Sequence, residues 1–263
     1  MGSGSSGAVG LRRRARFLRS LSSFIVFACF ACALVGGQEE EQLRSVGVFV
    51  ALADNKHQGI VPVPERIGNG NDPENNLYWG TADGLKGCFD RSDAWTLVSY
   101  SEDPPGDKVL QSRTYRDKAT GAVLDAFAYR GDSIRVCIEA FETAVRLGSY
   151  DLAVFIGHNG LMDFRLPRKS GKERKKQPAD CIVLCCMSEK YFRCRLAEQG
   201  GRPILMTQQL MYPGSFILHA VVDDWLAGAS LAKIRQEAAE AYAANQGISE
   251  KAALGVFSDL QGS

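Results

Sequence analysis

The chain has 263 residues, 45% of them hydrophobic, enough for one full-sized core and at most two domains. Its formal charge of +1 hides an asymmetry: the first 37 residues hold five arginines and no acid, and the remainder carries 26 basic and 30 acidic side chains. That balance gives no electrostatic reason to expect a nucleic acid as partner, and six cysteines in the remainder, none in CxxC spacing, are too few for a disulfide scaffold and form no zinc motif.

Arg12, Arg13, Arg14, Arg16 and Arg19 precede an apolar stretch of 15 residues, Leu21 to Val35. It is shorter than the roughly 20 residues of a membrane span and matches the apolar core of an export signal. Residues 1–37 read as a signal peptide or, uncleaved, as an anchor whose residues 11–37 tether the chain to a membrane. Either places the rest outside the cytoplasm, secreted or periplasmic. An acidic linker at 38–45 then leads into one α/β domain over 46–263.

Val46 to Leu52 is a continuous apolar run and predicts the first strand. A polar connection follows to about Asp90, long enough to suggest a functional loop. Its Gly68-Asn-Gly-Asn-Asp-Pro73 segment lacks the spaced carboxylates of a calcium loop and reads as turn chemistry. Thr81 to Phe89 predicts a short helix and Ala94 to Tyr100 a second strand. Alternating patterns at 109–115 and 122–129, around a turn containing Gly121, predict a β-hairpin. Asp132 is placed to cap a helix with Ile134, Cys137, Ile138, Phe141 and Val145 on one face and Gly148 at its end.

Two apolar runs then each end in a reactive side chain. Asp151-Leu-Ala-Val-Phe-Ile-Gly-His158-Asn-Gly160 stops at a histidine between glycines. Asp180-Cys-Ile-Val-Leu-Cys185-Cys186-Met-Ser188 stops at a cysteine pair. Both have the unbroken apolar character of parallel strands covered on two faces. Between them, residues 165–178 hold seven basic residues and one acid, expected to be an exposed, mobile loop. Helices at 189–199, from Pro213 to Leu226 and at 230–245 alternate with a strand at 203–207. The pattern predicts a three-layer α/β sandwich with a mostly parallel sheet and a β-hairpin insertion, with strands 46–52, 152–157 and 181–186 side by side.

Open α/β sheets carry their chemistry at the carboxyl ends of the strands. His158 and Cys186, at the ends of neighbouring strands, are therefore the candidate base and nucleophile. A helix starting at Ser188-Glu189 would favour the thiolate. Gly157 and Gly160 would let backbone approach a substrate and present N–H groups to an oxyanion. Successive strand residues face opposite ways, so only one of Cys185 and Cys186 faces the cleft. Cys137 and Cys181 read as small buried hydrophobes, His57 as solvent-exposed and His219 as a packing residue.

A strand ending in Gly157-His158, a strand ending in Leu184-Cys-Cys186-Met, and Pro213-Gly-Ser-Phe216 leading through Leu226-Ala-Gly-Ala-Ser230 into an alanine-rich helix resemble the caspase–haemoglobinase fold of cysteine peptidases. That group includes caspases, gingipains, clostripain, separase and the CHAT peptidases. The resemblance implies a peptidase acting on peptide or protein substrates, with His158 as base and Cys186 as nucleophile, and no metal or cofactor. The family has glycine directly after the histidine; here Asn159 stands there and Gly160 follows, so the resemblance implies either a longer turn or an altered oxyanion hole. The alternative is a caspase-like binding module without catalysis. A serine hydrolase ranks below both, since no Gly-x-Ser-x-Gly segment occurs.

Overall fold

The computed structural model describes residues 43–168 and 178–260. The expected leader at 1–37, most of the 38–45 linker and positions 169–177 of the basic loop lie outside the described residues. Seven strands, β1 (Ser45–Ala51), β2 (Trp95–Ser101), β3 (Val109–Asp117), β4 (Val123–Tyr129), β5 (Leu152–Ile156), β6 (Asp180–Leu184) and β7 (Arg202–Leu205), form one sheet in the order β2-β3-β4-β1-β5-β6-β7. The five strands from β4 to β7 along that order run parallel, and β2 and β3 are antiparallel additions at one edge.

Six α-helices lie among the described residues: α1 (Leu85–Asp90), α2 (Ile134–Leu147), α3 (Ser188–Glu198), α4 (Phe216–Leu226), α5 (Leu231–Gln246) and α6 (Glu250–Leu254). Strand alternation divides the core between the two faces of the sheet. Leu152, Val154 and Ile156 of β5 and Ile182 and Leu184 of β6 pack with residues of α1, α4 and α5. Ala153, Phe155, Cys181, Val183 and Cys185 pack instead with Cys137, Ile138 and Phe141 of α2 and Phe192 and Leu196 of α3. The result is the expected three-layer α/β arrangement, with β1, β5 and β6 adjacent and in register.

Several boundaries depart from expectation. The 109–117 and 123–129 strands pair antiparallel, but β4 also pairs with β1, so they are sheet strands and not a separate appendage. Helix α1 starts only at Leu85 because Asn76 holds the preceding residues in turns. Its side-chain oxygen accepts the Ala53 and Tyr78 amides, and its backbone carbonyl accepts those of Trp79, Gly80 and Thr81. Asp132 does not cap α2; its carboxylate accepts from Ser133 Oγ at 2.8 Å inside a one-turn 3-10 helix. Pro213 lies before α4, since the Ser215 amide donates to Asp83 O and helical geometry begins only at Phe216. The sequence pattern does not announce α6, beyond which Phe257 bridges antiparallel to Thr207.

Among the described residues, no helix is long and apolar enough to cross a membrane.

Candidate functional site

The loops after β1, β5, β6 and β7 meet at the carboxyl end of the parallel strands. The β5–β6 ladder pairs Ile156 with Leu184 and continues through the Gly157 amide, which donates to Leu184 O at 3.2 Å. His158 and Cys186 thus follow directly at the ends of two adjacent strands. Gly157 has φ +149, and a Cβ there would sit 2.9 Å from Ala51 O, so both its conformation and the close passage of β1 require glycine.

His158 is buried, and its Nε2 lies 2.7 Å from Asp163 Oδ2. A carboxylate only accepts, so the neutral imidazole carries its proton on Nε2 and leaves Nδ1 as the basic nitrogen. Asp163 ends the one-turn 3-10 helix Gly160–Met162 that follows the histidine. The same Oδ2 accepts the Gly59 amide at 3.2 Å, which ties the β1 and β5 loops together, and a side chain at position 59 would come within 2.7 Å of this carboxylate. Asp163 is absent from the residues that the sequence pattern picks out; its only signal there is its position five residues after the histidine.

Cys186 lies two residues beyond β6, on the other side of the pair. It is partly exposed, whereas Cys185 is fully buried and burial pushes its thiol well above the ordinary range. The Cys186 Sγ lies 3.4 Å from Met211 N and 3.5 Å from Met211 O, in the loop after β7. Among the described residues no hydrogen bond joins His158 to Cys186. Met187, directly after the cysteine, is the one non-glycine residue with positive φ among those described, at 51°, and α3 begins at the next residue. The cysteine therefore directly precedes a strained strand–turn–helix corner.

The N-terminus of α3 is not open to the thiol, contrary to the expectation from sequence. The Met187 amide donates to Gln209 O, Ser188 N to Thr207 Oγ1 and Glu189 N to Thr207 O, at 2.9 to 3.1 Å. The Gly157 and Gly160 amides are likewise taken, by Leu184 O and His158 O. The backbone amides of Asn159 and Cys186 donate to no partner among the described residues. Asn159 is fully buried and holds two loops together. It accepts Leu161 N at 3.2 Å and donates from Nδ2 to Cys186 O at 2.7 Å, pinning the ends of β5 and β6 to each other. Tyr78, from the long loop after β1, lies near enough to oppose a negative Cys186, and burial first and that charge second keep its hydroxyl protonated.

The remaining candidate residues lie elsewhere. His57 is half-exposed, as expected of a loop residue, with Nδ1 2.9 Å from the buried Asp54. His219 is partly buried on α4, 2.9 Å from Ser92 Oγ and edge-on to Phe89; burial lowers its pKa. Cys137 and Cys181 are buried as expected. The 68–75 segment forms turns through Asn69 and Asp72. No cluster of three metal-ligating side chains occurs among the described residues.

Compared with protein families, curated proteins and solved structures, the chain matches none.

Proposed function

We propose that this protein is a cysteine hydrolase, and that its reaction is cleavage of peptide bonds by Cys186 with His158 as base and Asp163 as the group that orients the base. The observation carrying this reading is the placement of His158 and Cys186 at the ends of adjacent, in-register parallel strands, with Asp163 on the far nitrogen of the imidazole. The strand order β4-β1-β5-β6-β7, with the two residues just beyond β5 and β6, supports the caspase-like reading of the sequence. The basic-then-apolar leader supports export.

The Cys186 side chain rotates from Met211 toward His158, since unliganded pairs are often open. The thiol proton passes to His158 Nδ1, and the sulfur attacks the carbonyl carbon of the scissile bond. The oxyanion so formed is met by the Cys186 amide. Collapse breaks the C–N bond, the departing amine takes the proton from His158, and a thioester remains on Cys186. Water gives a proton to His158 and attacks the thioester. The C–S bond breaks, the acid leaves, and the thiolate recovers its proton from His158. Asp163 fixes the ring and stabilises its cationic form throughout.

A second reading, a binding module without catalysis, is favoured by one observation: His158 and Cys186 each bond to a different partner. A fluorogenic peptide-library screen separates the two. Hydrolysis is expected in the native protein, reduced to background in Cys186→Ala and His158→Ala and at least about 100-fold lower in Asp163→Asn, since such groups act as a unit. Full activity in Cys186→Ala rejects Cys186 as the nucleophile, and no cleavage of any library member leaves the binding module.

A further inference from the structure

The loops that hold the proposed reactive groups also expose large apolar side chains. Val61, Leu210 and Met162 are 86%, 69% and 41% exposed. Each lies within two residues of one that bonds to Asp163 or Cys186, or of Asp163 itself. Val61 is two residues after Gly59, whose amide binds Asp163. Met162 immediately precedes Asp163 itself. Leu210 immediately precedes Met211, whose backbone flanks the Cys186 sulfur. They come from three different segments, after β1, β5 and β7, whose neighbouring residues bond to Asp163 or Cys186.

Segments 60–64, 159–162 and 208–212 contain no Asp, Glu, Lys or Arg. The acids closest to the pair in sequence are already engaged. Asp163 Oδ2 serves His158 and Gly59, and Glu189 pairs with Arg193 one turn along α3. A site that selects a charged side chain needs an opposite charge beside the nucleophile, buried enough to escape screening by salt, and these segments supply none. Single exposed apolar residues are ordinary on protein surfaces. Three in the separate segments that reach one reactive corner fit a binding rim.

We infer that the substrate is an extended peptide segment with large apolar side chains, of the Leu, Met, Val or Phe kind, on either side of the cleaved bond. The inference rests on the proposed site at Cys186, and two readouts keep them apart. Binding of fluorescently labelled octapeptides to the Cys186→Ala protein, followed by anisotropy, reports recognition. Cleavage of the same peptides in quenched form by the native protein reports chemistry.

Peptides with apolar residues at the two central positions are expected to bind at least about tenfold more tightly than acidic or basic sets, the scale on which apolar pockets discriminate. Val61→Asp with Leu210→Asp, both at exposed positions, is expected to remove that preference by about tenfold while the unfolding midpoint stays within the range of surface changes. Equal binding of the three sets, preference for a charged set, or a preference unaltered by the double variant overturns the inference. Cleavage with a preference for charged peptides overturns it and leaves the hydrolase standing. Apolar preference in binding without any cleavage retains it and removes the hydrolase.

Discussion

Asn159 shows how one residue joins the chemistry to the scaffold. Its amide group spans from the 3-10 turn after β5 to the main chain of Cys186, with no exposure to solvent. Glycine there would keep a backbone of φ −80, ψ 84 accessible, but would strand the Cys186 carbonyl and the Leu161 amide. With about 1 kcal/mol for each buried hydrogen bond lost and added backbone freedom in the unfolded chain, Asn159→Gly is expected to cost about 2 to 3 kcal/mol. Urea unfolding measures this, and a change below about 0.5 kcal/mol, the scale of an ordinary surface substitution, would show that the pin is idle. Activity is expected to fall with it, because the spacing of His158 and Cys186 depends on that bond. The family resemblance alone suggests the reverse, a gain on restoring glycine. The residue type was legible in the sequence, but its bond across to β6 was not, since a contact between residues 159 and 186 exists only once the strands pair.

At the scale of elements, the decisive unit is β6, its corner and α3. Apolar runs announced the strand, and the helix followed at Ser188, one residue from its expected start. The corner itself was hidden: nothing in Met187 suggests a left-handed backbone, which costs a non-glycine residue about 1 to 2 kcal/mol. It is imposed by the β7 loop. Ser188 Oγ donates to Val183 O at 2.8 Å and accepts Thr207 N at 2.9 Å, while Thr207 Oγ1 donates to Cys185 O. The same loop also takes up, through Thr207 and Gln209, the amides that a helix N-terminus would otherwise offer the thiol. Met187→Gly is therefore expected to leave stability unchanged or raise it by up to about 1 kcal/mol, as relief of strain outweighs the entropy of glycine. Met187→Val is expected to lower it by more than about 1 kcal/mol, because a β-branched side chain fits this region worst. Equal urea midpoints for the two variants would mean that the corner carries no strain.

For the molecule as a whole, the α2–α3 face holds a charge pair buried among apolar neighbours. Arg195 of α3 meets Glu142 of α2 through two bonds, Nε to Oε1 at 2.6 Å and Nη2 to Oε2 at 2.8 Å, with both side chains buried. Its remaining arm donates from Nη1 to Leu166 O at 3.0 Å, where the connection from β5 to β6 leaves the described part of the chain. The pair joins two helices to the segment that follows β5, one of the two strands that carry the site. Helical periodicity marked the apolar face of α2, but Glu142 stands one position beyond Phe141 in that pattern and gives no sign of burial. Removing one partner leaves an uncompensated buried charge or a stranded carbonyl, so Glu142→Leu and Arg195→Met are each expected to cost about 3 to 5 kcal/mol. Glu142→Leu combined with Arg195→Met removes both charges and is expected to lie closer to the native protein than either single change, apart from the Leu166 carbonyl left unpaired. Urea unfolding of all four proteins at low and high salt gives the coupling. A buried bidentate pair is weakly screened, so the coupling should change little with salt. Single variants costing under about 1 kcal/mol, with an effect that salt abolishes, would place the pair at a wet surface and separate the helix face from the ordering of the site.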